Sequence, residues 1–338
     1  MEQLEPDGWR DAASTLASVL EDLLADGRAE LARERFERAT ALYPLGGVGT
    51  IEPALRMGTT GFAQTVGRSW RAAPRPLLPW YDLVSFDGFR RHAAIRELDG
   101  EALDGGAPNA FALLLLVRRL NDWVPQVRAV ARNVVPRAFD ASSFEDRYAV
   151  LSHVLARLTD WGRLGDAERA VVDELVRRPQ FAREVCSRAE SVTAGPIKRI
   201  LQASARSRLI DTSFDRLSRD AVMPSIRAFA TQALLTGRVE WPVGWERRWI
   251  DRYAGDYRLV PRIESRDITI EPDWLVVLRR AARDESAAVR RVASEVLAAR
   301  RRTLDEAALA VARQLTGDSW PSIAHRARFA IERRNDPI

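Results

Sequence analysis

The sequence predicts an all-α protein made of helical hairpins stacked one on the next. Three observations carry this. Apolar residues recur at three- and four-residue spacing through most of the 338 positions. Polar or Pro/Gly breaks separate the periodic segments, which run about 10–15 residues each. A short motif returns along the chain at near-integral spacing. Composition agrees: 46% hydrophobic and 29% charged excludes a disordered chain, and the single Cys186 excludes a disulfide scaffold or a Cys-rich zinc site.

Taken in order, the periodicity predicts helices over Trp9–Ala25 and Arg28–Leu42, with Leu16, Val19, Leu20, Leu23 and Leu24 on the apolar stripe of the first. Further helices are predicted over Phe111–Leu120, Val124–Val135, Arg147–Thr159, Asp166–Arg177 and Phe181–Ala189. Ile197–Arg206, Ser225–Leu235, Asp273–Ala282, Ala287–Ala299, Leu304–Leu315 and Ser322–Arg333 complete the series. Residues 44–79 are rich in Gly and Pro and predict an irregular connection or a distorted helix pair. The organisation is then an N-terminal helical cap over 1–79 and a repeat stack over 80–338, one continuous domain, with an insertion near 237–272.

That insertion holds Trp241, Trp245 and Trp249, spaced by four. On a helix they fall along one face, with Arg247, Arg248 and Arg252 interleaved. Such a face stacks on bases or forms an interface hot spot. The plainer reading is that the insertion buries its tryptophans against the helices. No alternation of apolar and polar residues is long enough to demand a sheet, and Arg266–Ile270 is a short extended piece at most.

The repeated motif is Asp, a short gap, often Pro, then Val-Arg-x-x-Ala. It reads Asp122…Pro125-Gln-Val127-Arg128…Ala131, Asp220…Pro224-Ser-Ile226-Arg227…Ala230 and Asp284…Val289-Arg290…Ala293. Weaker copies are Asp318…Pro321-Ser-Ile323-Ala324…Ala327, Asp87…Arg90…Ala93 and Pro196-Ile197-Lys198. The Pro suits the first helical turn, where its missing N–H is no loss. The small Ala lets neighbouring helices approach closely.

This pattern resembles the HEAT-repeat family. The resemblance covers about residues 80–335 and implies a right-handed α-solenoid of HEAT-like helical hairpins. It also implies that Asp122, Arg128, Asp220, Arg227, Asp284 and Arg290 form a structural ladder between units rather than a chemical site. A more distant likeness is to the HEAT-like alkylpurine DNA glycosylases, where an aromatic cradle adjoins a catalytic Asp. Trp161 near Asp160 and Asp166, or Trp123 beside Asp122, is the nearest equivalent, and no catalytic residue is carried over.

The net charge of +5 sits in the C-terminal fifth: residues 276–338 hold 13 Arg against 8 Asp or Glu. Arg290, Arg291, Arg300, Arg301 and Arg302 form its densest clusters, suited to a polyanion or to a solvated face. Only Lys198 is a lysine, so arginine usage is general rather than local. His92, His153 and His325 stand alone on predicted helices without metal-ligand spacing, and Cys186 reads as a small packed hydrophobe. Gly46-Gly47-Val48-Gly49-Thr50 lacks the Lys-Ser/Thr ending of a phosphate loop.

Neither metal nor cofactor is expected, and an enzyme is the less favoured reading. The expectation is a cytoplasmic, non-membrane binding scaffold or adaptor that holds a protein partner in the concave face of the solenoid. The alternative is a nucleic-acid-binding protein, including a glycosylase-like repair enzyme. The start MEQLEPDGWRDAAS has no basic-then-apolar leader, and the longest apolar run, Ala110–Val117, is far shorter than the roughly 20 residues of a bilayer span.

Overall fold

A computed structural model describes residues 6–59, 78–99 and 107–334. The described residues are mostly helical, and they group into two compact units, residues 1–175 and 176–338. Among them no helix is long and apolar enough to cross a membrane. Of the Gly/Pro-rich stretch 44–79, residues 60–77 lie outside the described residues. Its first part runs through a 3-10 turn, Leu45–Gly47, straight into a helix.

The first unit contains α1 (Pro6–Ala25), α2 (Ala29–Thr40), α3 (Val48–Gly58), α4 (Pro79–Asp82), α5 (Gly88–Leu98), α6 (Ala110–Arg118), α7 (Pro125–Ala141), α8 (Phe144–Arg157) and the start of α9 (Asp166–Arg177). Helix α1 packs on α2 and α3, α5 on α7, and α6 on α7 and α8. Helix α6 is apolar on every side, and Phe111 through Val117 are all buried, as a helix without a polar face must be. Asn109 caps it, its side chain accepting from Ala112 N at 3.0 Å.

The second unit contains α10 (Pro179–Ser191), α11 (Ile197–Ser204), α12 (Phe214–Asp220), α13 (Pro224–Thr236), a β-hairpin of β1 (Arg238–Asp251) and β2 (Asp256–Asp267), then α14 (Trp274–Ala282), α15 (Ala287–Ala299), α16 (Glu306–Leu315) and α17 (Pro321–Glu332). Helices α12–α13, α14–α15 and α16–α17 are three consecutive helical hairpins. Their second helices stack in order, α13 on α15 and α15 on α17, while α14 packs on α16. Pro125, Pro224 and Pro321 each open a helix, as the motif predicts.

A repeated arginine geometry joins successive turns. Arg227 sends Nε and Nη2 to the two carboxylate oxygens of Asp284 at 2.9 and 3.0 Å, and Nη1 to the carbonyls of Ala221 and Val222. Arg290 does the same one hairpin on, with Asp318 at 2.6 and 3.3 Å and the carbonyls of Asp284 and Glu285. In the first unit Arg91 forks onto Asp122 at 2.9 and 2.8 Å and reaches the carbonyls of Ser85 and Phe86. Each aspartate also accepts from a backbone N–H two residues on: Val124, Ser286 or Trp320. The planar guanidinium suits this task because one fork reaches a carboxylate while its other edge reaches carbonyls.

Two register expectations need correction. The arginine of the first copy is Arg91, not Arg90, which instead contacts Asp82. Asp220 is not a rung: the residue six before Arg227 is Ala221, and Asp220 is exposed, 3.8 Å from Arg219. Arg128 holds the Asp122 carbonyl at 2.7 Å, and its carboxylate neighbour is Glu168 at 4.0 Å. The adjacent Arg90 and Arg91 make a one-residue shift invisible in sequence, because only the helix phase separates the buried one from its neighbour.

Candidate functional site

The insertion is a β-hairpin, which overturns the helical placement of its tryptophans and the expectation of no sheet. Helix α13 ends at Gly237, whose φ of +72° is open chiefly to glycine, and the chain enters β1 at once. Tyr257, Leu259, Pro261 and Ile263 alternate with Arg258, Val260 and Arg262, the period of a strand. The tip turns through Asp251, whose carboxylate accepts from Tyr253 N and Ala254 N at 2.8 and 3.2 Å, and through Gly255 at φ +76°.

The root is fastened to the helices. Asp211, fully buried, accepts from Arg266 Nη1 and Nη2 at 3.0 and 2.6 Å and from the Thr269 N and Oγ1 at 2.8 and 2.9 Å. Arg266 also donates to the carbonyls of Ala205 and Ser207. Val239 and Trp241 are buried beside it, with the Arg206 guanidinium 5.8 Å from the Trp241 ring. A cleft of about 120 Å³ lies at this root, lined by Phe229, Gln232, Val239, Trp241, Pro242 and Ile263 among others.

Beyond the root both strands are exposed, and their two faces differ. The pairing skips Val243, so Trp241 and Trp249 fall on opposite faces. One face carries Pro242 and Ile263, Arg247 and Leu259, and Trp249 and Tyr257. Trp249, Tyr257, Leu259 and Ile263 are 42%, 43%, 58% and 46% exposed. The rings of Trp249 and Tyr257 meet edge-on at 5.4 Å, and Arg247 lies 4.8 Å from the Tyr257 centroid. The other face carries Arg262, Glu246 with Val260, and Arg248 directly opposite Arg258. Trp245 pairs with Pro261.

The structure therefore brings Arg247 and Trp249 together, with Tyr257, and separates them from Trp241. Of the C-terminal arginines singled out in the sequence, Arg290, Arg291, Arg300 and Arg301 have partners. Arg290 is a ladder residue, Arg291 faces Glu295 at 3.8 Å, Arg300 lies 5.3 Å from the Trp274 ring, and Arg301 lies 5.3 Å from the Phe329 ring. Arg302 sits exposed in the 3-10 turn Arg301–Thr303. Leu259, Ile263, Arg258 and Arg262 were missed by the helical reading. The alternation of β2 was the signal that could have found them.

Of the aspartates near tryptophans, Asp122 is committed to the fold, and Asp160 and Asp166 are exposed. Asp122 takes Arg91 on both oxygens and Arg119 at 3.2 Å, and Trp161 is buried in the first unit. Cys186 is buried, and desolvation pushes its thiol up to about 11. Burial also lowers His92 and His153 from the ordinary imidazole range. Among the described residues no cluster of three or more His, Cys, Asp or Glu is placed to hold a metal ion. Comparison with protein-family models, with curated proteins and with solved structures finds no match to this chain.

Proposed function

We propose that the chain is a non-catalytic scaffold of HEAT-like stacked helical hairpins that holds a protein partner, with the β-hairpin as the gripping element. The observation that carries this reading is the exposed apolar face of the arm: Trp249, Tyr257, Leu259 and Ile263 in one stripe on an arm rooted by Asp211. A contiguous apolar stripe in water is unfavourable unless something covers it, and aromatic side chains supply most of the energy at protein interfaces. Both strands of a two-stranded sheet are edges, so their free N–H and C=O groups offer a further partner strand a place to pair. The arginine–aspartate ladder supports the HEAT-like part of the reading, since it recurs at the start of α5, α13 and α15 with the same donors and acceptors.

Site-specific photocrosslinking in cells tests it. A photoreactive residue at Trp249 and, separately, at Leu259 is expected to trap the same protein, and one at Gln314 is expected to trap none. Crosslinks no stronger than at Gln314 would sink the proposal.

A further inference from the structure

We propose that the second face of the hairpin is a binding site for single-stranded nucleic acid, engaged through Arg248, Arg258 and Arg262. This does not rest on the protein-scaffold reading, which uses the opposite face.

Arg248 and Arg258 are direct cross-strand partners, and Arg262 lies two pairs toward the root on the same face. Like charges directly opposite each other destabilise a strand pair, and a two-stranded hairpin has little stability to spare. At the root of the hairpin and in the repeated turns the chain neutralises such cations. Arg238 faces Asp267 across the root at 3.3 Å, Arg266 is held by Asp211, Arg227 by Asp284 and Arg290 by Asp318. Arg248, Arg252, Arg258 and Arg262 make no ion pair among the described residues. Residues 244–262 hold five arginines against three acids, and one of those acids, Asp251, is engaged by the tip turn. A site built this way is completed by external negative charge.

The tip ring selects the anion. Tyr253 is fully exposed at the end of the arginine row, while the rings of Trp249 and Tyr257 belong to the opposite face. Unpaired bases stack on such a ring while their phosphates follow the guanidinium groups, whereas a duplex keeps its base faces closed and an acidic polypeptide has no bases to stack. Single-stranded nucleic acid satisfies both features at once.

The test is fluorescence anisotropy of a labelled oligothymidylate strand on the full chain, from about 50 to about 200 mM salt. Binding is expected at low salt, with log affinity falling linearly in log salt. Replacing Arg248→Gln and Arg258→Gln together should weaken binding at least about tenfold and flatten that slope by about 1.4, roughly 0.7 for each phosphate no longer neutralised. Tyr253→Ala should weaken it further without changing the slope. Arg291→Gln with Arg302→Gln should leave it unchanged, and circular dichroism should show every variant folded. The proposal is overturned by absence of binding at low salt or by an unaltered slope in the hairpin pair. Displacement of the strand by polyglutamate at equal charge would also overturn it, in favour of an acidic protein.

Discussion

The arginines of the helical stack and those of the hairpin have the same side chain and opposite fates. Arg227 is 7% exposed at its side chain, with a carboxylate fork on one edge and two carbonyls on the other. Arg248 and Arg258 are exposed cross-strand partners that make no ion pair among the described residues. Position in a repeated turn, not residue type, decides which arginine is built into the fold. A count of basic residues alone therefore does not show which arginines are engaged. The C-terminal fifth holds the excess charge, yet Arg290, Arg291, Arg300 and Arg301 there are paired or stacked, while Arg248, Arg252, Arg258 and Arg262 of the nearly neutral hairpin make no ion pair among the described residues.

The largest effect should come from breaking a rung. Arg227→Ala strands Asp284 in a mostly buried turn, and loss of one partner of such a pair is expected to destabilise by roughly 3–5 kcal/mol, read by denaturant unfolding. Arg248→Ala on the hairpin should change stability by less than about 0.5 kcal/mol. Equal losses in the two variants would erase the distinction.

Acid should reach the first unit's charge network next. Glu52 is buried, and desolvation alone would raise it, but Arg119, Arg118 and Arg56 bring it down to about 2. A carboxylate lowered on folding contributes stability above its unfolded value near 4.5, lost progressively as pH falls toward 2. That contribution is about 3 kcal/mol at about 1.4 per unit. Melting temperature measured against pH should fall across that window, and Glu52→Gln should flatten the fall while lowering stability at neutral pH.

A smaller effect is expected at the hairpin root. Asp211→Ala removes the acceptor for Arg266 and Thr269, but Arg266 keeps the carbonyls of Ala205 and Ser207, so about 2 kcal/mol is lost. Limited proteolysis should then cut within 238–267 sooner than in the parent protein. Cleavage elsewhere first would show that Asp211 supports the helices rather than the arm. Smallest of all, Leu259→Ser on the exposed face should leave the melting temperature within about 1 °C while reducing partner crosslinking from Trp249.

How far the sequence discloses this molecule differs along the chain. The helices of the C-terminal stack were legible, because Val277, Leu278, Ala281 and Ala282, then Val289, Val292, Ala293 and Val296, keep helical phase and are buried. The ladder was legible in kind and off by one at two places: Arg90 for Arg91, where adjacent arginines hide the phase, and Asp220 for the rung position, which is held by Ala221. The hairpin was not read as strands. The spacing of Trp241, Trp245 and Trp249 fits a helix face, while the residue skipped at Val243 and the prolines at 242 and 261 disturb the strand pattern. The candidate site was half legible: Trp249, Arg247 and Arg248 stand out in the sequence, and their partners on β2 do not.

The two ends of the hairpin meet: Ile268 N donates to the Gly237 carbonyl at 3.0 Å, and Arg227 closes onto Asp284, 57 positions away, behind them. Helices α13 and α15 are thus joined without any contribution from the strands. The arm is a cassette with adjacent termini. It is open to shortening, exchange or grafting onto another stack at the same turn, with the frame beneath it unchanged.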